Sequence, residues 1–259
     1  MLTITGIPAF NDNYIWMLTN TGSQSCYIVD PGDHLVVENA CQRNNLTLAG
    51  ILITHHHADH MGGISKLTQK RNIPVYGPAS ESITGITHHL HDGDKLSIFN
   101  TEWQVMTTAG HTSGHICYFG KLNNQSPVLF SGDTLFGGGC GRLFEGTAEQ
   151  MYSSLKRLQA LPDDTQIYCA HEYTQANLAF AQVVEPNNRA LQQRIQWVAE
   201  QRHKQQPTVP FSLAGERDTN PFLRTSTKMV MDAATLYSGR RVETDVDCFT
   251  IIRQWKDNF

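Results

Sequence analysis

Residues 54–60 read THHHADH and directly follow the short apolar run GILI at 50–53, which is typical of a buried strand. In an extended loop, residues two apart point to the same side, so His55 and His57 can bind one metal ion together. His56 lies between them and is expected to point the other way. The spacing HxHxDH after an apolar strand is a strong signal for a metal site.

Asp59 and His60 would face a second ion, and neither pair is complete, because zinc usually takes four ligands. The fold must therefore supply ligands from elsewhere in the chain. His111, Asp133 and His171 each follow a strand-like run, where a sheet would bring them to a common edge. A single His or Asp at a strand end is usually a solvated residue or a cap. Together with the loop, these residues supply enough ligands for two ions, which implies hydrolytic chemistry.

A second group of histidines, His88, His89 and His91, is not expected to bind metal. These residues precede the turn signal DGD at 92–94, and we expect them to be exposed.

Composition excludes several classes of function. The chain has 259 residues, a net charge of −4 and no long basic run, which weighs against nucleic acid as a partner. No apolar run approaches the ~20 residues of a membrane span, and the N-terminus shows no secretion signal. The six scattered cysteines are then expected to be reduced thiols in a cytoplasmic protein. Nothing in the sequence demands an oligomer, so we expect a monomer.

The first part of the chain, to about residue 172, is predicted to contain many short strands and a few helices. The predicted strands are Tyr14–Leu18, Cys26–Asp30, Ile51–Thr54, Trp103–Thr108, His115–Phe119, Val128–Ser131 and Gln166–Ala170. Helices are predicted over 34–44, 62–71 and 148–160, and Thr147 and Gln150 form a capping box for the last of them. Gly62 and Gly63 are expected to let the chain turn tightly beneath the metal ligands.

After His171 the strand signals stop and helical periodicity dominates. Helices are predicted over Thr174–Val184, around Leu191–Val198 to before Pro207, over 227–238 and over 244–257, with a loop between Pro207 and about residue 226. We therefore predict a first domain over 1–172 and a helical second domain over 173–259.

Several motifs resemble the metallo-β-lactamase superfamily: HxHxDH at 55–60, DPG at 30–32, GHT at 110–112, SGD at 131–133 and AH at 170–171. Others resemble, more narrowly, the hydroxyacylglutathione hydrolase (glyoxalase II) family. These are IPAFNDNY at 7–14, GCGR at 139–142, EGT at 145–147, HEY at 171–173 and RQWKD at 253–257. The resemblance runs essentially from end to end.

This resemblance implies an α+β fold, an αββα sandwich with the metals at one edge of two sheets, and a C-terminal helical domain that helps to bind glutathione. It assigns His55, His57 and His111 to one ion and Asp59, His60 and His171 to the other, bridged by Asp133. The ions would be two divalent cations, preferably zinc, although iron and manganese also suit such ligands. Asp59 and Asp133 would act with a metal-bridging hydroxide, and Asp30 is the best candidate to orient a ligand, ahead of Thr54 and His115.

The same resemblance assigns contacts with glutathione to five residues of this chain: Arg142, Phe144, Tyr173, Arg253 and Lys256. The family often has Lys where this chain has Arg142, which keeps the charge, and Tyr where it has Phe144, which cannot donate a hydrogen bond. Arg253 and Lys256 are three apart, so they share a face of the last helix.

The implied activity is hydrolysis of S-(R)-lactoylglutathione and other S-(2-hydroxyacyl)glutathiones to a 2-hydroxy acid and glutathione, the second step of methylglyoxal detoxification. The metal loop alone does not separate this activity from that of other dinuclear hydrolases, such as a lactonase, a β-lactamase or a tRNA-processing phosphodiesterase. A metal-binding or redox protein without hydrolytic activity is a third class. Diiron relatives of that kind carry an acidic residue where His57 stands.

Overall fold

A computed structural model describes residues 1–122 and 125–259. Its residue contacts divide the chain into two compact units with an α+β composition. Unit 1 comprises residues 1–107 and 112–132, and unit 2 comprises residues 108–111 and 133–259.

The strands of the described residues are β1 (Leu2–Ala9), β2 (Asn13–Asn20), β3 (Ser25–Val29), β4 (Thr47–Leu52), β5 (Val75–Pro78), β6 (His88–Leu90), β7 (Lys95–Ile98), β8 (Thr101–Thr107), β9 (Ile116–Gly120), β10 (Val128–Gly132), β11 (Leu135–Phe136), β12 (Gly139–Cys140), β13 (Gln166–Cys169) and β14 (Phe211–Ser212). The helices are α1 (His34–Arg43), α2 (Ala58–Met61), α3 (Ile64–Thr68), α4 (Ala148–Gln159), α5 (Thr174–Val184), α6 (Arg189–His203), α7 (Leu213–Thr219), α8 (Lys228–Ser238) and α9 (Asp245–Asp257), with a 3₁₀ helix, η1, at Pro221–Leu223.

Unit 1 contains a sheet in the order β1-β2-β3-β4-β5-β6. Strands β1 to β3 pair antiparallel, whereas β3 to β6 run parallel. Parallel strands are usually buried on both faces, and β4 accordingly ends in the fully buried pair Ile51–Leu52. Helices α1 and α3 contribute Val37, Ile64 and Leu67 to the core that covers this sheet. The buried end of β4 therefore delivers residues 54–60 from a rigid element.

Unit 1 also contains the antiparallel strands β7, β8, β9 and β10, paired in chain order. Tyr118 of β9 donates a hydrogen bond of 2.8 Å to the carbonyl of Ile53, the last residue before the metal loop. Burial raises the pKa of Tyr118 well above its usual value, so the phenol keeps the proton that it donates. This hydrogen bond fixes the backbone where the loop leaves the sheet.

Unit 2 is mostly helical. Helix α4 begins with the predicted capping box, in which Thr147 and Gln150 each bond the backbone of the other. Helix α8 ends at Gly239, whose φ of +69° is the left-handed conformation common after helix ends. The described strands of this unit form two antiparallel pairs, β11 with β12 and β13 with β14. Phe180, Phe222 and Phe249 fill its interior.

The predicted elements are mostly confirmed, two of the predictions are corrected, and the strands β1, β5, β6, β7, β11 and β12 were not predicted. The helix predicted over 62–71 is shorter, because only α3 (Ile64–Thr68) falls in that range, and the separate turn α2 (Ala58–Met61) precedes it. A Cβ on Gly63 would lie 2.3 Å from the carbonyl oxygen of Pro31, so only glycine allows this turn to pack so closely. The loop predicted between Pro207 and about 226 contains β14, α7 and η1, because Phe211 pairs with Ile167 of β13.

Two further expectations concern exposed and apolar segments. His88, His89 and His91 are exposed, as predicted, although the first two belong to the edge strand β6. Among the described residues, no helix combines the length and apolarity that crossing a membrane requires. The domain boundary near residue 173 stays a prediction.

Candidate metal centre

The loop after β4 brings four of the predicted ligands together in unit 1. Nε2 of His55 lies 3.0 Å from Nδ1 of His57, so the two rings meet on one side of the extended segment. His57 is the N-cap residue of α2, and the single turn that follows places Asp59 and His60 side by side. Oδ2 of Asp59 is 3.5 Å from Nε2 of His60, which is itself buried.

Asp30 contacts this loop through both of its carboxylate oxygens. It has a left-handed backbone with φ of +52° and is buried at the end of β3. Its Oδ1 accepts from the backbone N–H of Thr54 at 2.8 Å, and its Oδ2 accepts from the Thr54 hydroxyl at 2.7 Å. Oδ2 also lies 3.1 Å from Nδ1 of His60. Asp30 therefore contacts the imidazole of a predicted ligand, His60, in the way that carboxylates contact metal-binding histidines.

Two other side chains contact the predicted ligands of the loop. Asn13 is buried and donates from Nδ2 to Oδ2 of Asp59 at 2.9 Å. Its part in the site was not predicted, although it lies in the IPAFNDNY motif. The ring of His115 stacks on His55 with centroids 4.9 Å apart, and the Thr54 hydroxyl lies 3.1 Å from Nδ1 of His55. Both predicted candidates therefore touch His55.

Unit 2 brings together the other three predicted ligands. Oδ2 of Asp133 is 3.4 Å from Nε2 of His111 and also 3.4 Å from Nε2 of His171. All three residues are buried. Nδ1 of His111 lies 2.8 Å from the carbonyl oxygen of Arg142. One carboxylate oxygen between two imidazoles is the arrangement expected of a ligand set.

The donor chemistry of these clusters fits divalent metal ions. A ligating histidine usually bonds an oxygen through the nitrogen that faces away from the metal. Nδ1 of His55, His60 and His111 is near the oxygens of Thr54, Asp30 and Arg142 respectively, which leaves Nε2 of each ring for a metal. All seven predicted ligands belong to groups of His and Asp side chains that could hold a metal ion. Imidazole with carboxylate suits zinc, iron and manganese.

The cationic residues predicted to bind substrate form a cluster around one carboxylate in unit 2. Oδ1 of Asp257 accepts from Nε of Arg142 and from Nη2 of Arg253, each at 3.1 Å. Arg253 is only 5% exposed, and its Nη1 donates to the carbonyl of Cys140 at 3.0 Å. Its guanidinium also lies over the ring of Phe222. Arg253 is therefore held rigidly, whereas Arg142 is exposed.

The remaining predicted contacts lie close to this cluster or to the ligands. Nζ of Lys256 is 5.4 Å from the ring centroids of both Phe180 and Phe259. Burial, followed by the charge of Arg253, lowers the pKa of Lys256 below its ordinary value. Phe144 is 61% exposed and meets His111 edge-on at 5.3 Å, while Tyr173 stacks on His171 at 4.7 Å.

This fold and these ligand clusters define a class of protein. The sequence profile of the metallo-beta-lactamase superfamily matches residues 10–171, and the chain belongs to that superfamily. A second profile, that of the hydroxyacylglutathione hydrolase C-terminus, matches residues 172–259. Within the superfamily, the chain belongs to the hydroxyacylglutathione hydrolase family.

Similar proteins cover the whole chain. A hydroxyacylglutathione hydrolase of Pseudomonas fluorescens (strain SBW25) is 47% identical over 260 residues, and one of Shewanella baltica (strain OS185) is 49% identical over 268 residues; each alignment covers 100% of both chains. Among solved structures, ETHE1 from Myxococcus xanthus has a TM-score of 0.66 at 23% identity, covering 98% of this chain and 91% of its own. TTHA1623 in a di-iron-bound form has a TM-score of 0.52 at 27% identity, covering 65% and 91%.

The family and the His and Asp clusters together indicate a dinuclear metal site. The likeness to ETHE1 concerns the fold alone.

Proposed function

We propose that this protein hydrolyses the thioester bond of S-(2-hydroxyacyl)glutathiones, with S-(R)-lactoylglutathione as its main substrate. The products are a 2-hydroxy acid, D-lactate from the main substrate, and glutathione. One observation carries the proposal: identity of 47–49% to hydroxyacylglutathione hydrolases extends over the full chain, including the C-terminal part. By this proposal residues 1–172 are the catalytic domain and 173–259 the glutathione-binding domain of a cytoplasmic monomer.

The proposed ligand sets divide the seven residues between two ions. One ion takes His55, His57 and His111, the other takes Asp59, His60 and His171, and Asp133 is shared. The pairing of His55 with His57 and of Asp59 with His60 supports this division, as does the place of Asp133 between His111 and His171. Zinc is the preferred metal, although the di-iron form of TTHA1623 shows that a relative of this fold takes iron.

When bound, two divalent cations lower the pKa of water to about 7 and polarise the thioester carbonyl, so that the nucleophile is available at neutral pH. The chain's own residues would select the tautomer of the ligating histidines. Asp30 keeps the proton of His60 on Nδ1, and the carbonyl of Arg142 does the same for His111. Asn13 fixes one oxygen of Asp59.

Departure of the leaving group needs little assistance from the protein. A free thiol has a pKa of about 8.5, so glutathione leaves as a thiolate without a dedicated general acid. No such acid was predicted beside the ligands. The protein's remaining task is to bind the glutathione moiety and to aim its thioester at the metals.

The cationic cluster of unit 2 supplies that binding. We assign the carboxylate of the glycine residue of glutathione to Arg142, Arg253 and Lys256, because guanidinium groups bind carboxylates through paired hydrogen bonds and the ammonium group of Lys256 adds a further positive charge. Tyr173 and Phe144 contact the ligands His171 and His111 and would line the path of the acyl chain. Phe144 can contribute only apolar contact.

The test is steady-state hydrolysis of S-(R)-lactoylglutathione by zinc-loaded protein, with the metal-free protein as the control. The same acyl group on N-acetylcysteamine tests whether glutathione is recognised, and we expect a much higher KM for that thioester. A β-lactam, a lactone and a phosphodiester test the other hydrolases of the superfamily. Turnover of lactoylglutathione no faster than with metal-free protein would refute the proposal, and bound metal without hydrolysis would indicate a non-catalytic metal protein.

A further inference from the structure

Glu81 is a buried carboxylate outside the predicted ligand set. It lies in the segment between β5 and β6, and only 2% of its side chain is exposed. Its Oε2 is 3.0 Å from Nδ1 of His56, and its Oε1 accepts a hydrogen bond from the hydroxyl of Thr112. A buried carboxylate is costly unless its oxygens are hydrogen-bonded, and both oxygens of Glu81 are.

The two partners of Glu81 are neighbours of proposed ligands in the sequence. His56 stands between His55 and His57, and Thr112 directly follows His111. Because alternate residues of an extended segment point to opposite sides, holding the ring of His56 on one side sets the direction of both flanking rings. Holding Thr112 in the same way fixes the backbone that carries His111.

Glu81 packs closely against the backbone at Gly114. A Cβ at that position would lie 2.5 Å from Cγ of Glu81 and 3.1 Å from the backbone carbon of Ser80. A Cβ contact of 2.5 Å is essentially never seen in proteins, so a side chain at residue 114 would force Glu81 to shift. This close packing is an observation independent of the hydrogen bonds.

We propose that Glu81 is a positioning residue that ties the two ligand-bearing segments of one ion together, the ion assigned to His55, His57 and His111. The inference rests on the proposed function for that ligand set. It also predicts an asymmetry, because the other ion depends on Asp30 and Asn13 instead. Loss of Glu81 should therefore weaken the binding of one ion and leave the affinity for the other ion unchanged.

The experiment is a zinc titration of metal-free full-length protein against a competing chromophoric chelator, which yields two stepwise dissociation constants. Removing partners that orient metal ligands typically costs 10–100-fold in metal affinity. Since Glu81 acts through neighbouring residues, we expect Glu81→Ala to weaken one zinc ion about 10-fold and to leave the other within threefold. With lactoylglutathione, kcat should fall while KM stays within about twofold, because the glutathione contacts are not altered.

Glu81→Gln is the conservative variant. Its amide oxygen can still accept from Thr112, and its amide N–H can donate to Nδ1 of His56, so both zinc affinities should stay within threefold of the unaltered protein. Glu185→Ala is the control for general destabilisation, because Glu185 is also buried but pairs with Arg224 in unit 2. It should lower the melting temperature without changing either zinc affinity.

Gly114→Ala provides a second test if Glu81→Ala does not fold. The added methyl group must displace Glu81, so this variant should weaken the same ion. The proposal is overturned if Glu81→Ala, or Gly114→Ala in its place, binds both ions as the unaltered protein does, or if it weakens both equally. It is also overturned if Glu81→Gln is as defective as Glu81→Ala. The titrations contain no thioester, so failure of the hydrolysis assay would refute the proposed function and leave this result intact.

Discussion

Two substitutions of Asp30 should distinguish its contribution to the stability of the metal loop from its contribution to metal affinity. Asp30 accepts two hydrogen bonds from Thr54, which is fully buried, and contacts Nδ1 of His60. In Asp30→Ala, the N–H and hydroxyl of Thr54 lose their carboxylate acceptor, at roughly 1–3 kcal/mol each. Alanine in the left-handed conformation of residue 30 adds about 1 kcal/mol. The sum, about 3–7 kcal/mol, corresponds to a fall in melting temperature of about 10 °C or more.

Asp30→Asn should separate the two effects. Asparagine tolerates the left-handed backbone, and its oxygen can still accept from the N–H of Thr54. Its NH₂ group, however, faces Nδ1 of His60 and can only donate, so the ring must move its proton to Nε2. A protonated Nε2 cannot bind a metal. We therefore expect a loss of only about 1–2 kcal/mol in stability, together with a 10–100-fold loss in affinity for one ion.

Two measurements check this prediction. Thermal and urea unfolding of the metal-free variants gives the stability changes without any contribution from bound metal. Competition with a chelator gives the affinity for each ion. Zinc affinities of Asp30→Asn within threefold of the unaltered protein would refute the proposed tautomer control, and a stability loss under 1 kcal/mol in Asp30→Ala would refute the hydrogen-bond estimate.

Three further predictions concern the proposed ligand Asp59 and the cationic cluster. Asn13→Ala removes one hydrogen bond to Asp59, worth about 1 kcal/mol, so chelator competition should show about fivefold weaker binding of one ion; unchanged affinities would exclude a role for Asn13. Asp257→Asn removes the carboxylate that already occupies Arg142 and Arg253, so KM for lactoylglutathione should fall by up to about fivefold, as expected for a partly exposed ion pair; a higher KM would mean that Asp257 organises the arginines instead. The pKa of Lys256 lies below 10.5, chiefly because of burial, so Lys256 loses its proton at a lower pH than an ordinary lysine and its attraction for a carboxylate is lost as pH rises through that lowered value. The Kd of S-methylglutathione, measured by calorimetry, should therefore rise as the pH is raised from neutral towards the ordinary lysine pKa, and more steeply in this protein than in Lys256→Arg; parallel profiles would contradict the assignment.

The elements that sequence predicted well are those specified by local signals. The capping box at Thr147 and the stop at Gly239 fixed the ends of α4 and α8. The prediction of a loop after Pro207 was wrong because the strand in that segment, β14, has only two residues and is defined by its pairing with β13. Short elements of that kind carry almost no periodic pattern of their own.

The candidate site divides in the same way. The spacing of residues 55–60 sufficed to group His55 with His57 and Asp59 with His60, because alternation in an extended segment and one helical turn are local geometry. Glu81 carries no comparable signal, since it is a lone acidic residue 25 positions from His56.

Sequence by itself therefore determined the family, the type of donor atoms and the order of the ligands along the chain. Asp30 was also predicted as a supporting residue, but only the tertiary structure decided that its partner is His60. The structure alone placed Asn13 on Asp59 and Asp257 between the two arginines. The physical reason is that a metal ligand is recognisable by its own chemistry and spacing, whereas a supporting residue is an ordinary polar side chain. Its role comes entirely from which distant segment the packed core places against it.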